Sequence, residues 1–255
     1  MGGTANRGRV VRSGQTVRRP QRSTSSAAHA LLRHLEDVGF DGAPRFLGTD
    51  AHGREVLSYI PGEAVTPPYP AWALTDSALR SVAQLLWRYH DAAAGFDAHP
   101  HRWPKTPPAP YGGQLVCHND PNLDNVVFRD GRAVALIDFD LSSPGSFVWD
   151  VAGAVRLWSP LRDDRYIADS RRGGALSRLR TFVKAYGADI EPDLLVHAIR
   201  LNHDWMYAVI EEGVEEGNEG FVDYWRDAEV RISATREWYA ENHDRLVRAL
   251  SGPGS

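Results

Sequence analysis

Two short segments hold residues whose types and order can do chemistry together: His118, Asp120 and Asn125 in CHNDPNLDN, and Asp138 and Asp140 in LIDFD. Asp120 is a carboxylate able to take the proton of a hydroxyl nucleophile, and Asn125 and Asp138 are hard oxygen donors of the kind that hold magnesium against nucleotide phosphates. Phosphoryl transfer asks the protein for positioning, charge neutralisation and a proton acceptor, and this set can supply all three. A hairpin could also carry Asp and Asn because turns favour them, but two motifs in this order are far more specific than either alone.

The flanking residues say how such a set is held. The run NDPNLD is rich in turn formers and lies between the β-type stretches QLVC and NVVF, which places a polar loop at one edge of a sheet. Asp130-Gly131 is a hairpin signal that sends the chain back through AVALID, so Asp138 returns to the edge where Asn125 begins. Asn125 and Asp138 therefore converge by topology.

HNDPNLDN followed by IDFD resembles the aminoglycoside phosphotransferase family, relatives of protein kinases whose catalytic loop reads H-x-D-x-x-x-x-N and whose metal-binding segment opens I-D-aromatic. The resemblance implies a two-lobed, protein-kinase-like α+β fold with a small, reduced β-rich N-lobe and a mainly helical C-lobe. It makes Asp120 the catalytic base, His118 a brace of its loop, and Asn125 and Asp138 the metal ligands, with Asp140 a further acidic position at the metal site. The cofactors it implies are ATP or GTP with Mg2+, and the acceptor is a hydroxyl of a small molecule.

Composition agrees with one soluble enzyme. The 255 residues suffice for a sizeable core, and a formal net charge of -4 with a pI near 6.2 argues against a general nucleic-acid binder. No apolar run has membrane-spanning length and MGGTANRGRV lacks the apolar centre of a signal peptide, so a cytoplasmic protein is expected. The single cysteine, Cys117, lies on an apolar strand and excludes an intrachain disulfide. No heptad or repeat sets an oligomeric state.

Residues 1–62 read as a nucleotide-binding N-lobe and hinge, and 63–255 as the C-lobe. A hairpin turns at Ser13-Gly14-Gln15, a helix follows from Ser25 to Val38 with Gly39 at its end, and a second hairpin turns at Ala51-His52-Gly53. By resemblance Ser58, Tyr59 and Ile60 offer backbone groups to the nucleotide base. This lobe departs from the family: there is no strand lysine before Lys105, and His29 stands where a helix glutamate is expected. Arg18 is the best positional match as a phosphate ligand, with Arg19 pointing to the opposite sheet face. Gly2-Gly3-Thr4-Ala5-Asn6 is the remnant of a glycine-rich phosphate loop, or a terminus with no function.

Beyond the hinge, an amphipathic helix runs from a Thr75 cap to Gly95, followed by the proline-rich HPHRWPKTPPAPYGG and the catalytic segments. Ser142 to Phe147 reads as a short loop, and Asp150 opens the next helix, as a cap or as a brace of the catalytic loop. Three helices complete the chain, about Gly174–Tyr186, Pro192–Glu216 and Glu219–Leu250. Asp204, Glu211 and Glu215 lie on one helical stripe, which in an aminoglycoside kinase would hold an amine-bearing acceptor and otherwise faces solvent. Against the kinase reading stands a nucleotide-binding pseudokinase, to which the missing lysine and reduced glycine loop point.

Overall fold

A computed structural model describes residues 10–225 and 228–251. The expected Gly2–Asn6 phosphate loop lies outside the described residues. The N-lobe is an antiparallel sheet of order β1-β2-β4-β3, formed by β1 (Val11–Ser13), β2 (Thr16–Pro20), β3 (Phe46–Thr49) and β4 (Arg54–Ser58). Both of its hairpin turns use glycines in the left-handed region, Gly14 at φ 60° and Gly53 at φ 73°. Helix α1 (Ser25–Asp37) buries Ala28, Leu31, Leu32 and Leu35 along one face and ends just before Gly39.

The C-lobe is built on α2 (Asp76–Ala93), whose first turn is capped by the Thr75 hydroxyl accepting from Ala78 N at 3.2 Å. Its apolar face, Leu79, Val82, Leu85, Leu86 and Tyr89, is sealed in the core. A three-stranded sheet of order β5-β7-β8 joins β5 (Glu63–Ala64), β7 (Val126–Arg129) and β8 (Arg132–Leu136). Asp130 and Gly131 both adopt positive φ, 51° and 73°, as the tight hairpin requires. Strand β6 (Leu115–Cys117) pairs instead with β9 (Ser143–Gly145), a strand inside the segment the sequence reads as loop. That pairing rests on close backbone approach: a Cβ on Gly113 would sit 2.3 Å from the Gly145 carbonyl oxygen.

Helices α3 (Phe147–Trp158), α4 (Ala175–Tyr186), α5 (Pro192–Glu215), α6 (Glu219–Trp225) and α7 (Ala228–Ser251) complete the lobe around Trp149, Trp158 and Phe182, all fully buried. Of the final helix expected over Glu219–Leu250, the described residues are helical over Glu219–Trp225 and Ala228–Ser251. α6 packs on α5, where the Phe221 ring lies over Gly213 and a Cβ would meet it at 2.1 Å. Among the described residues no helix is long and apolar enough to cross a membrane.

The lobes join at Pro61-Gly62. Gly62 has φ 148°, and a Cβ there would fall 2.5 Å from the Phe128 carbonyl oxygen on β7. Gly62→Ala is expected to destabilise the protein by about 1–3 kcal/mol, read as a lower urea midpoint. Gly112→Ala, where the added methyl meets nothing within 4 Å, is expected to leave the midpoint unchanged.

Candidate active site

The catalytic loop is anchored from below by one carboxylate. Asp150, fully buried in the first turns of α3, accepts from His118 N at 2.7 Å, Asn119 N at 2.8 Å and His90 Nε2 at 2.9 Å. Burial alone would raise its pKa, but the His90 hydrogen bond and the neighbouring imidazoles hold it below the usual carboxylate range. The helix is capped by Ser146, whose hydroxyl accepts from Trp149 N, so Asp150 is a brace and not the opener of α3. Asn119 takes a left-handed backbone, φ 66°, which asparagine tolerates better than most residues, and its side-chain amide donates to Leu141 O and Ser143 Oγ.

His118 braces the loop as a neutral ring. Its Nε2 lies 3.0 Å from the Ile137 carbonyl, and burial lowers its pKa to about 4, so it carries no charge at neutral pH. Asp120 lies at the floor of the cleft, held by Asn122 Nδ2 at 3.1 Å and Asn125 Nδ2 at 2.9 Å. Burial, then the charges of Asp124 and Asp138, push its pKa up to about 8. Asn125 and Asp138 do converge, because Ile137 N donates to Asn125 O at 2.9 Å across the end of the hairpin. Asp138 sits at φ 65°, a turn that brings its carboxylate back toward the cleft.

Asn125 spends its amide N–H groups on Asp120, which leaves its carbonyl oxygen as the atom able to meet a cation. With the Asp138 carboxylate this donor set fits magnesium, which is commonly held by one or two protein oxygens plus phosphates. The pKa of Asp138 is raised by burial and by Asp140, opposed by Arg19, so the pair of carboxylates calls for positive charge. Here a guanidinium provides it. Arg19 Nη1 lies 2.6 Å from Asp138 Oδ1, Nη2 2.7 Å from Asp140 Oδ1, and Nε 2.5 Å from Glu55 Oε1, while Arg22 Nε takes the other Asp140 oxygen at 2.7 Å.

The residue of β2 facing the catalytic segments is therefore Arg19. Arg18 is paired in register with Val56, makes no ion pair among the described residues, and keeps a buried Nε without a partner. The helix glutamate also has a stand-in. Glu55, only 2% exposed on the neighbouring strand, lies between Arg19 and His29 Nε2 at 2.6 Å, and the His29 ring stacks on Phe46 at 3.7 Å. Arg19, Glu55 and His29 thus form one buried ionic chain whose carboxylate stands on a strand and not on the helix, with a His29–Glu55 pairing across 26 residues that no local spacing announces.

At the hinge, Ser58 N donates to Arg45 O at 2.9 Å and Tyr59 N to Gln15 O at 2.8 Å, so two of the three backbone donors expected to meet a base are already engaged. The Tyr59 ring is covered by the Arg12 guanidinium at 3.5 Å. A cleft of about 310 Å³ opens beside Asp120 toward α5 and α6, with Arg156, Tyr207, Glu212, Glu216 and Tyr224 in its walls. Asp204, Glu211 and Glu215 are not among the residues lining it. Asp204 is bound to Arg236 at 2.7 Å, and Glu211 and Glu215 are exposed. The stripe that reaches the cleft is the adjacent one, Glu212 and Glu216.

A sequence model described as the phosphotransferase enzyme family matches residues 97–186, the stretch from the end of α2 through α4. The trifolitoxin immunity protein of Rhizobium leguminosarum bv. trifolii is 38% identical over 160 residues, covering 61% of this chain and 60% of that protein, so the chain spans under two thirds of the relative's length. Among solved structures, a choline/ethanolamine kinase family protein from Mesorhizobium loti superposes with a TM-score of 0.64 at 17% identity, over 98% of this chain and 90% of the other. The GDP complex of aminoglycoside 2'-phosphotransferase-IIIa gives 0.60 at 14% identity, over 92% and 90% of the two chains. A macrolide 2'-phosphotransferase from Brachybacterium faecium gives 0.52 at 14% identity, over 96% and 89%.

The raised pKa of Asp120 has a measurable cost. An unfolded aspartate ionises near 3.8 and the folded one near 8, so the folded state binds more protons between these values and stability falls as pH rises through that window. Asp120→Asn is expected to raise the Tm relative to the parent at pH 8 and to lose that advantage as pH falls toward 4, checked by thermal unfolding at both ends of the window.

Proposed function

We propose that this chain, which carries the phosphotransferase family's segment on a kinase-like fold, moves the γ-phosphoryl group of ATP or GTP to a hydroxyl of a small molecule. The observation that carries the reading is the Asp120 carboxylate. It is held by two side-chain amides at the floor of a cleft, on a loop braced by Asp150 and beside the converging oxygens of Asn125 and Asp138.

The acceptor hydroxyl approaches from the cleft and gives its proton to Asp120, whose raised pKa makes it a stronger base than an ordinary carboxylate. Asn122 and Asn125 fix the orientation of that carboxylate, so little reorganisation accompanies proton transfer. Magnesium, held by Asn125 and Asp138, would draw negative charge off the terminal phosphates. Arg19, reaching from the N-lobe, is placed to meet the phosphates, with Glu55 and His29 holding its stem. Arg18 remains a phosphate ligand only if the strand turns over. The relative named for immunity to trifolitoxin supports an acceptor that is an inhibitory molecule disarmed by phosphorylation.

One observation favours the pseudokinase reading: Arg19 already satisfies Asp138 and Asp140 at hydrogen-bond distance, so a nucleotide–metal complex must compete with an internal cation. A thermal-shift titration with ATP and magnesium, followed by assay of ADP release across an acceptor panel, separates the two. Binding without transfer to any acceptor would favour the pseudokinase.

For the enzyme, Asp120→Ala is expected to lower kcat by about 10²–10⁴-fold, and Asp138→Ala to abolish turnover, in a coupled ADP assay. Substantial activity in both variants would sink the assignment. Because the base must be deprotonated, kcat/KM in the wild type is expected to fall about tenfold per pH unit on the acid side of a pKa near 8, and Asp120→Ala to lose that limb.

A further inference from the structure

The walls of the acceptor cleft carry charges of both signs, with Arg156 set among the carboxylates of Asp120, Asp124 and Glu216. Glu212, the acidic side chain of α5 closest in kind to the expected amine-binding group, is bound to Lys105. Asp204 is bound to Arg236, and Glu211 and Glu215 are exposed and do not line the cleft. Besides Asp120, three ionic groups in the walls have no ion-pair partner among the described residues: the half-buried Asp124 carboxylate on the catalytic loop, the solvent-exposed Glu216 at the end of α5, and the Arg156 guanidinium on α3.

Arg156 is held in place without a carboxylate of the protein. Its Nε donates to Asn202 Oδ1 at 3.2 Å, and Asn202 is fully buried on α5. Asn202 can lie there because residue 153 is glycine: a Cβ at that position would come within 3.1 Å of Asn202 Nδ2. The two terminal nitrogens of Arg156 have no protein hydrogen-bond partner among the described residues and belong to the cleft wall, leaving a fork of donors matched to a carboxylate. Arg162 also feels this charge: its Nε is buried without a hydrogen-bond partner, and burial, then the charges of Arg171 and Arg156, lower its pKa. This wall is locally positive and favours an anion. The Asp124 carboxylate in the same cleft favours a cation, and Asp120 lines the same space.

We propose that the acceptor is amphoteric: a hydroxyl-bearing molecule of amino-acid type whose carboxylate docks on Arg156, whose ammonium group faces Asp124, and whose hydroxyl is presented to Asp120. This rests on the phosphotransferase reading for the role of Asp120, while the two charged contacts are independent of turnover. Arg156 is then a specificity-determining residue, fixed by Asn202, and Tyr207 and Tyr224 close the apolar side of the cleft.

The test is ligand-observed NMR with the full chain in the presence of ADP and magnesium. The probes are hydroxy amino acids, hydroxy acids of the same skeletons, the corresponding amino alcohols, and an aminoglycoside. The wild type is expected to bind at least one hydroxy amino acid more tightly than its hydroxy-acid and amino-alcohol counterparts. Arg156→Gln should erase the preference over the amino alcohol, a loss of about tenfold or more in affinity. Asp124→Asn should erase the preference over the hydroxy acid while leaving the carboxylate preference in place. Arg156→Lys, which keeps charge without the fork, should retain part of the affinity and serves if Arg156→Gln does not fold. Preference for amino alcohols or the aminoglycoside, no hit in the amino-acid class, or selection indifferent to Arg156 would overturn the proposal. If the selection holds but no hydroxy amino acid is phosphorylated when ATP replaces ADP, the phosphotransferase reading fails and the binding proposal stands.

Discussion

The cleft depends on a buried carboxylate that touches no substrate. Asp150 removes itself from water entirely and recovers the cost through three hydrogen bonds, two to consecutive backbone N–H groups of the catalytic loop and one to His90. Two backbone amides aimed at one carboxylate fix the direction in which the loop leaves β6, and hence where Asp120 lies. The His90 ring continues the network to the Tyr186 hydroxyl at 2.7 Å, so α2, α3 and α4 share one polar core beneath the loop. Removing Asp150 would free the loop and strand an imidazole and two amides in a dry interior.

A second constraint acts between the lobes. Arg19 bridges Glu55 in the N-lobe to Asp138 and Asp140 in the C-lobe, and three carboxylates raise the pKa of its guanidinium despite the burial that would lower it. On the proposed function, the charge that would steady phosphate in a nucleotide complex is the one that steadies the acidic pair here. The Phe46 ring stacked on His29 and the His29–Glu55 contact keep the stem of the arrangement rigid. Nucleotide entry, on that proposal, would exchange one set of ionic contacts for another within a preformed clamp.

What was legible in the sequence is what local rules decide. The Asp130-Gly131 hairpin, the ends of α1 and α2, the junction of Asn125 with Asp138 and the kinase-like fold all follow from turn chemistry, periodicity and motif order. What was missed depends on contacts distant in sequence. Adjacent arginines at 18 and 19 make alternation ambiguous, because which face of β2 meets the catalytic segments is decided by the packing of the two lobes. The carboxylate replacing the helix glutamate sits on β4, outside any local pattern. The acidic stripe facing the cleft is set by the rotation of α5 against α3.

The proposed role of Asp120, taking a proton from a small-molecule hydroxyl as the terminal phosphoryl group of a nucleotide is transferred to it, is tested by 31P NMR of the protein incubated with ATP, magnesium and the small-molecule fraction of a bacterial lysate. A new phosphomonoester resonance is expected to grow in step with ADP. Inorganic phosphate growing in step with ADP, with no organic phosphate formed, would contradict it.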